Sequence, residues 1–399
     1  MSITAAPGFE AAGIACGVKP SGAADLALVA TADRAPVSAA GVFTTNLAQA
    51  APVTVSRRHV RDGKAAAVVL NSGNANAATG EPGREDARRV CSLAAASLGC
   101  EPTDVLVCST GLIGIPLPMP PLEAGIPKVV GALDAGADAG RAAADAILTT
   151  DTVRKEALVV AELAGGPSFT VGGMAKGAAM LSPAMATMLA VVTTDAAVAP
   201  VALHRALDLA VGDTFNALLV DGCTSTNDTV LALASGAAGN EMIGSEGHQF
   251  HALVAALTEV CDELAGAMAA DAEGATKLAR VVVRGARSAE EARRAARAVA
   301  GSQLVQCSLY GRDPYWGRVL SELGASGSFL DPERVDISYN GIVLCRGGVA
   351  APHDEGAVEA AMAERRIDIE CELHQGMGEA AVRFTDLTHA YVDENMGTS

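Results

Sequence analysis

Hydroxyl side chains are the groups in this sequence whose types and placing could do covalent chemistry. They gather in "CSTGLIG" (108–114), "LTTDT" (148–152), "DGCTSTNDT" (221–229) and "AMATML" (184–189), the last with Thr187 between Ala186 and Met188. A threonine hydroxyl becomes a useful nucleophile only when a base takes its proton. Its own α-amino group, with a pKa of about 7.7–8.0, suits that task near neutral pH. An internal residue has no such amine, so the chain would first have to be cut before Thr187. The small Ala186 leaves its carbonyl within reach of the hydroxyl, and attack there turns an amide into an ester that water hydrolyses. Spacing alone favours a plainer role, a core segment in which Thr187 satisfies a backbone carbonyl.

Other chemistries lack their residues. The seven histidines are scattered, with no H-E-x-x-H, so no metal site is expected. There is no G-x-x-x-x-G-K-[ST], G-x-G-x-x-G or G-x-S-x-G, which disfavours nucleotide cradles and an α/β-hydrolase triad. Cys223 has no histidine near it in sequence and reads as a small buried thiol.

The elements that must position the hydroxyls are short apolar runs ending in polar loops, as in "AAAVVLNSGNANAATG" (65–80) and "DVLVCSTGLIG" (104–114), which predict buried strands. Ala-rich segments such as "EDARRVCSLAAASLG" and "GRAAADAILTTDT" predict helices between them. A helix is predicted to begin at Ser288, where "SAEE" forms a capping box with Glu291. With "LARVVVRGA" before it and "QLVQCSLYG" after it, this predicts a strand, helix, strand unit in a mixed α/β protein. The prolines of "IPLPMPPLEAGIP" (115–127) predict an extended surface loop.

Half of the 399 residues are apolar, enough for one large core or two ordinary ones, and only 3% are aromatic. The formal net charge of −17, with no Lys/Arg cluster to interrupt it, argues against nucleic acid and anionic membranes as partners and favours a small polar substrate. An odd number of cysteines, nine, without C-x-x-C, together with Glu10 where an export signal would need its apolar region, predicts a cytoplasmic protein. The longest apolar run, about 180–192, contains Pro183 and is shorter than the roughly 20 residues of a membrane span.

The wording of the Thr187 stretch reverses the plainer reading. "GGMAKGAAMLSPAMATML" (172–189) closely resembles the cleavage segment of the ornithine acetyltransferase (ArgJ) family, self-cleaving enzymes of the cyclic arginine pathway. The resemblance extends over "GVFTTN" (41–46), "VVLNSGNANAATG" (68–80), "STGLIG" (109–114), "TTDT" (149–152), "TSTNDT" (224–229), "EGATK" (273–277) and "GRDPYWGR" (311–318), in family order. It implies an α/β sandwich like that of DmpA, similar in outcome to N-terminal-nucleophile hydrolases but with its own topology. It also implies an α chain of residues 1–186 and a β chain of 187–399, assembled as α2β2.

By the same resemblance Thr187 is the nucleophile, Thr110 and the Gly111 N–H form the oxyanion hole, and Lys176, Glu273 and Thr149 or Thr150 bind substrate. Asn395 matches a family asparagine that reaches the site, usually followed by a terminal hydroxyl residue, here Ser399. The implied reaction passes acetyl from N2-acetyl-L-ornithine to L-glutamate without a cofactor, and some members of the family also accept acetyl-CoA. Ala179 stands where glycine is common and Cys223 where aspartate is common, and the tail "NMGTS" is shortened. Two other functions fit the residues: a self-processing amidase or aminopeptidase that uses water as acceptor, and a chain that never processes and serves as a binding protein.

Overall fold

The computed structural model describes residues 3–163, 166–180 and 188–396. They form two compact units, one from the described residues up to 180, 188–216 and 223–268, the other from 217–222 and 269–396. The first unit therefore draws on both sides of Thr187.

Its strands are β1 (Phe9–Ile14), β2 (Leu26–Thr31), β3 (Val37–Phe43), β4 (Lys64–Ala65), β5 (Ala67–Asn74), β6 (Val105–Leu112), β7 (Lys155–Glu162), β8 (Ser168–Lys176) and β9 (Leu189–Thr194). After the short β10 (Leu218–Leu219), which pairs in the second unit, comes β11 (Thr229–Ala234). Two sheets result, ordered β1-β2-β5-β6 and β4-β3-β11-β9-β8-β7. Alternation assigns each side chain a face. Val68, Leu70, Leu106 and Cys108 of the first sheet share a core with Met174, Leu189, Val191, Leu231 and Leu233 of the second. These strands are covered on both faces, which is why they read as unbroken apolar runs.

The helices of this unit are α1 (Ala51–His59), α2 (Gly80–Leu98), α3 (Met119–Gly131), α4 (Ala137–Ala146), α5 (Pro200–Asp213) and α6 (His248–Ala270). The outer face of the first sheet, with Leu28, Val69 and Val107, packs on Val90 and Ala94 of α2 and Leu122 and Ile126 of α3. A Cβ on Gly173 of β8 would come within 3.0 Å of Val260 and Leu264, so α6 lies tight against the second sheet. The unit is an α/β sandwich of two sheets between helical layers, as expected. No helix among the described residues is long and apolar enough to cross a membrane.

The second unit holds β12 (Leu278–Ala286), β13 (Asp336–Tyr339), β14 (Ile342–Arg346), β15 (Val349–Ala350), β16 (Arg366–Glu372) and β17 (Gly378–Thr385) in a sheet ordered β10-β17-β12-β16-β13-β14-β15. Its helices are α7 (Ala289–Ala300), α8 (Gln303–Tyr310), α9 (Trp316–Ala325), α10 (Glu355–Ala363) and α11 (His389–Asn395). The small stripe Ala292, Ala295, Ala296 and Val299 lets α7 pack closely against Val281, Val283, Val382 and Phe384.

Ser288 caps α7 as predicted, its Oγ accepting the Glu291 N–H at 3.2 Å. Three expectations are corrected. Residues 119–131 are helix α3, because Pro120 and Pro121 fall in the first turn, where no intrahelical N–H is needed, while Pro127 is accommodated inside. The strand expected in "QLVQCSLYG" is α8, capped by Ser302 and burying Val305 and Leu309 four residues apart. Cys223 is exposed, and all nine cysteines are free thiols.

Candidate active site

The parallel strands β5 and β6 end side by side, and their last residues carry two of the hydroxyl and amide motifs. Gly73 pairs with Gly111, after which the register slips through Asn74. Gly111 has φ of 135°, and a Cβ there would lie 2.3 Å from the Gly73 carbonyl carbon and 2.5 Å from the Asn74 nitrogen. Only glycine fits this approach. The strand end is pinned by amides: Asn71 accepts from Ser109 Oγ at 2.6 Å, and Asn227 Nδ2 donates to the carbonyls of Ser109 at 2.8 Å and Ala75 at 2.6 Å. Thr110 is buried between these ties, whereas Gly111 is exposed.

Beside Thr110 lies a buried cationic cluster. Lys176, 2% exposed at the end of β8, donates from Nζ to Thr149 Oγ1 at 2.5 Å and stands 3.5 Å from Thr110 Oγ1. Thr149 is thus the threonine that Lys176 reaches, and Thr150 is exposed. Asp151 organises the charges. Its Oδ1 accepts from Lys155 Nζ at 2.7 Å and from the Gly177 N–H at 2.7 Å, and its Oδ2 is 3.6 Å from Lys176 Nζ. Burial would raise its pKa, but the Lys176 and Lys155 charges prevail and hold it down at about 2. Lys19 ties the same loop from outside the motif, donating to the Leu148 carbonyl at 2.7 Å.

Strands β8 and β9 are antiparallel neighbours, with Lys176 opposite Leu189. The connection between them therefore leaves and returns beside the Lys176 cluster. Its returning end is clamped: the Met188 N–H donates to Asp228 Oδ1 at 2.8 Å, and the Met188 carbonyl accepts from the Thr229 N–H at 3.1 Å. Asp228 is fully buried, and its Oδ2 has no hydrogen-bond partner among the described residues. Burial pushes this carboxyl well above the usual carboxylate range, against the opposing pull of the Met188 N–H and of Lys176.

In the second unit Glu273, 9% exposed, accepts from Asn395 Nδ2 at 2.8 Å. The loop after it is fastened by Asp386, which accepts from the N–H groups of Thr276 and Lys277 at 2.9 Å each, and by Thr388, whose Oγ1 donates to the Gly274 carbonyl at 2.7 Å. Gly274 has φ of 63°, and a Cβ on it would strike the Tyr391 nitrogen at 2.3 Å. Helix α11 and the "EGATK" loop thus hold each other. Ala186, Thr187 and Ser399 lie outside the described residues.

Sequence reasoning quoted the motifs that contain Asp151, Asn227 and Asp228 without giving these residues a part. One signal was available for Asp151: a carboxylate four residues before Lys155, set among the hydroxyls of "TTDT".

Residues 10–397 match the sequence pattern of the ArgJ family. The arginine biosynthesis bifunctional protein ArgJ of Symbiobacterium thermophilum is 47% identical over 393 residues, covering 98% of this chain and 97% of that one. The protein of the same name from Mycobacterium tuberculosis is 47% identical over 402 residues, covering 100% of this chain and 96% of its own. The crystal structure of arginine biosynthesis bifunctional protein ArgJ from Bacillus halodurans superposes with a TM-score of 0.50 at 38% identity, over 51% of this chain and 96% of that one. With the family pattern running through nearly all of it, the chain belongs to the ArgJ family.

Proposed function

We propose that this chain is a self-cleaving acetyltransferase of arginine biosynthesis, which cuts itself between Ala186 and Thr187 and then passes acetyl from N2-acetyl-L-ornithine to L-glutamate. The observation that carries this reading is the register of β8 and β9. It makes the connection containing Thr187 start and finish beside Lys176, Thr149 and Thr110. The solved Bacillus halodurans chain, matched over 96% of its own length by 51% of this one, is about half as long, which supports a protein that works in two pieces.

In the first half-reaction the Thr187 hydroxyl oxygen bonds the acetyl carbon, and its proton passes to the Thr187 amine. The carbon–nitrogen bond to ornithine then breaks, and the amine returns the proton to the leaving nitrogen. Thr110 Oγ1 and the Gly111 N–H receive the developing oxyanion. In the second half-reaction the glutamate amine attacks the acetyl-threonine, releasing N-acetyl-L-glutamate and restoring the hydroxyl. Lys176 and Thr149 are assigned to the substrate carboxylate, and Glu273, held by Asn395, to a substrate ammonium. The reading includes an α2β2 assembly in the cytoplasm and no resident cofactor.

Denaturing electrophoresis with N-terminal sequencing tests it. The 40.1 kDa chain should appear as two fragments, the second beginning at Thr187, and Thr187→Ala should leave one chain without transfer. An uncut wild type, or transfer by the alanine variant, would refute the mechanism. Acetyl lost faster to water than to glutamate would make the enzyme a hydrolase. Asn395→Ala removes a donor from the Glu273 carboxylate, so KM for the amino-acid substrate should rise by roughly tenfold with little change in melting temperature. Steady-state kinetics with acetylornithine check this, and an unchanged KM would remove Asn395 from substrate binding.

A further inference from the structure

Two consecutive residues, Asn227 and Asp228, reach in opposite directions from the turn that leads into β11, and the reaction above gives neither a part. Asn227 reaches toward the oxyanion side. Its Nδ2 donates to the Ser109 carbonyl, one residue before Thr110, and to the Ala75 carbonyl, one residue after the Asn74 that crowds Gly111. The Ala75 N–H donates in turn to the Leu112 carbonyl at 3.0 Å, so these bonds bracket Thr110 and Gly111 at the end of β6. Asp228 reaches toward the nucleophile side. Its Oδ1 accepts the N–H of Met188, the residue that follows Thr187.

Both side chains are buried, Asn227 at 4% and Asp228 at 0% exposure, and the Asn227 amide is fully used. Its two hydrogens go to the two carbonyls, and its Oδ1 accepts from Thr226 Oγ1 at 2.6 Å. A flipped amide would set an oxygen against two acceptors. The turn itself is braced from behind by the loop after β3. Thr44 Oγ1 donates to the Ser225 carbonyl at 2.8 Å and Asn46 Nδ2 to the Thr224 carbonyl at 2.9 Å, while the Thr44 and Ala50 N–H groups hold the carbonyls of Asp228 and Thr226 at 2.9 Å each. The two anchoring side chains therefore leave a fixed backbone from Cα atoms about 3.8 Å apart.

Such a link answers a problem posed by the sheet order. Strand β6 belongs to the four-stranded sheet and β9 to the six-stranded one, so no ladder of hydrogen bonds sets the distance between them. Acyl transfer needs the nucleophile and the oxyanion donors at one carbonyl together, and a misplacement of about 1 Å can cost roughly 10²-fold in rate. We infer that Asn227 and Asp228 act jointly as positioning residues, which fix the start of β9 against the end of β6 and so hold nucleophile and oxyanion hole in register. The inference deepens the proposed reaction and rests on it. Each residue acts through the backbone it holds, and the link spans the two fragments that scission would create.

The rate of scission of the freshly made chain, and steady-state and single-turnover transfer from acetylornithine by the processed enzyme, test this on Asn227→Ala, Asp228→Ala and the double variant. Each single variant should lose roughly 10²-fold in kcat with KM little changed, because the hydrogen bonds of these side chains do not involve Lys176, Thr149 or Glu273. Scission should slow by a like factor, and a variant that folds but stays uncut counts as the same loss. Because the two anchors set one distance, the double variant should be no slower than the slower single, and factors that multiply would overturn the joint role. Asp228→Asn keeps an oxygen for the Met188 N–H and should recover most of the rate. An asparagine variant as slow as the alanine variant would show that the ionisable carboxyl itself takes part and overturn the positioning role, as would a loss confined to KM. Should an alanine variant melt below the assay temperature, Asn227→Ser and Asp228→Ser read the same split, and wild-type kcat in both would overturn the inference. A wild type that neither cuts nor transfers would refute the proposed function and this inference with it, whereas an active wild type with unaffected variants would refute the inference alone.

Discussion

Asp151→Ala is expected to be among the most damaging single substitutions in the first unit. The carboxylate is wholly buried between Lys155 and Lys176, themselves 1% and 2% exposed. Removing one partner of a buried ion pair typically costs about 3–5 kcal/mol, because the remaining charge has neither water nor counterion. Here two ammonium groups are left. Thermal unfolding should register this as a loss of roughly 2–4 °C for each kcal/mol. The Gly177 N–H loses its acceptor as well, so the start of the connection that contains Thr187 is freed. Cleavage should therefore slow along with the loss of stability.

The pH dependence follows from the same geometry. The folded pKa of Asp151, about 2, lies below the ordinary value of 3.8, so its contribution is fully present above 3.8 and disappears as pH falls through about 2. The stability difference between wild type and Asp151→Ala should be flat at neutral pH and shrink only in that acid window. Urea titrations across pH check this, and a difference that already declines near pH 6 would show that another group controls the cluster.

Gly111→Ala should show the second large effect, chiefly in catalysis. The added methyl meets main-chain atoms of Gly73 and Asn74 at 2.3–2.5 Å, and backbone inside a parallel strand pair has no cheap way to yield. The end of β6 must shift, and the Gly111 N–H with it. In the role proposed for the Gly111 N–H, loss of one oxyanion donor costs about 10²–10³ in kcat, so transfer should fall at least that far. Thr110→Val keeps the β-branched shape and removes the hydroxyl. It should lose a similar factor with little change in melting temperature, and Thr110→Ser should recover most of it. Single-turnover acetylation kinetics separate chemistry from binding, and wild-type rates in both variants would mean that the oxyanion is stabilised elsewhere.

How much of this was legible in the sequence depended on the range of the interactions involved. The buried strands could be read because both faces are covered, which turns "AVVLN" and "VLVCS" into continuous apolar runs. The cap of α7 is local chemistry across three residues and was read correctly. Helix α3 was missed because proline breaks helices everywhere but in the first turn, and composition does not say where a first turn falls. Helix α8 was missed because a short apolar stretch fits strand and helix alike. At the site, Thr110, Thr149 and Lys176 were picked out through resemblance. Their meeting is a property of sheet order, which no local pattern encodes. The expectation that no Lys/Arg cluster interrupts the acidic charge is corrected for a related reason: "RRHVRDGK" (57–64) is such a cluster, and its Arg58 lines one cavity with Arg84, 26 residues on, because α1 packs beside α2.

The order of the six-stranded sheet has a further consequence. Across it run β4 and β3, then β11 and β9, then β8 and β7. The strands that follow the proposed scission thus sit in the middle, with strands from before it on either side, like two combs pushed together. Cutting the connection severs one covalent link and leaves the ladders from β3 to β11 and from β9 to β8 closed. Neither fragment owns the whole six-stranded sheet or the core beneath it, where Val68 and Met174 from before the cut pack with Val191 and Leu231 from after it, so the pieces cannot separate without unfolding this unit. The uncut precursor is then a folding template as much as an inactive enzyme, and denaturation after scission should be far harder to reverse than before it.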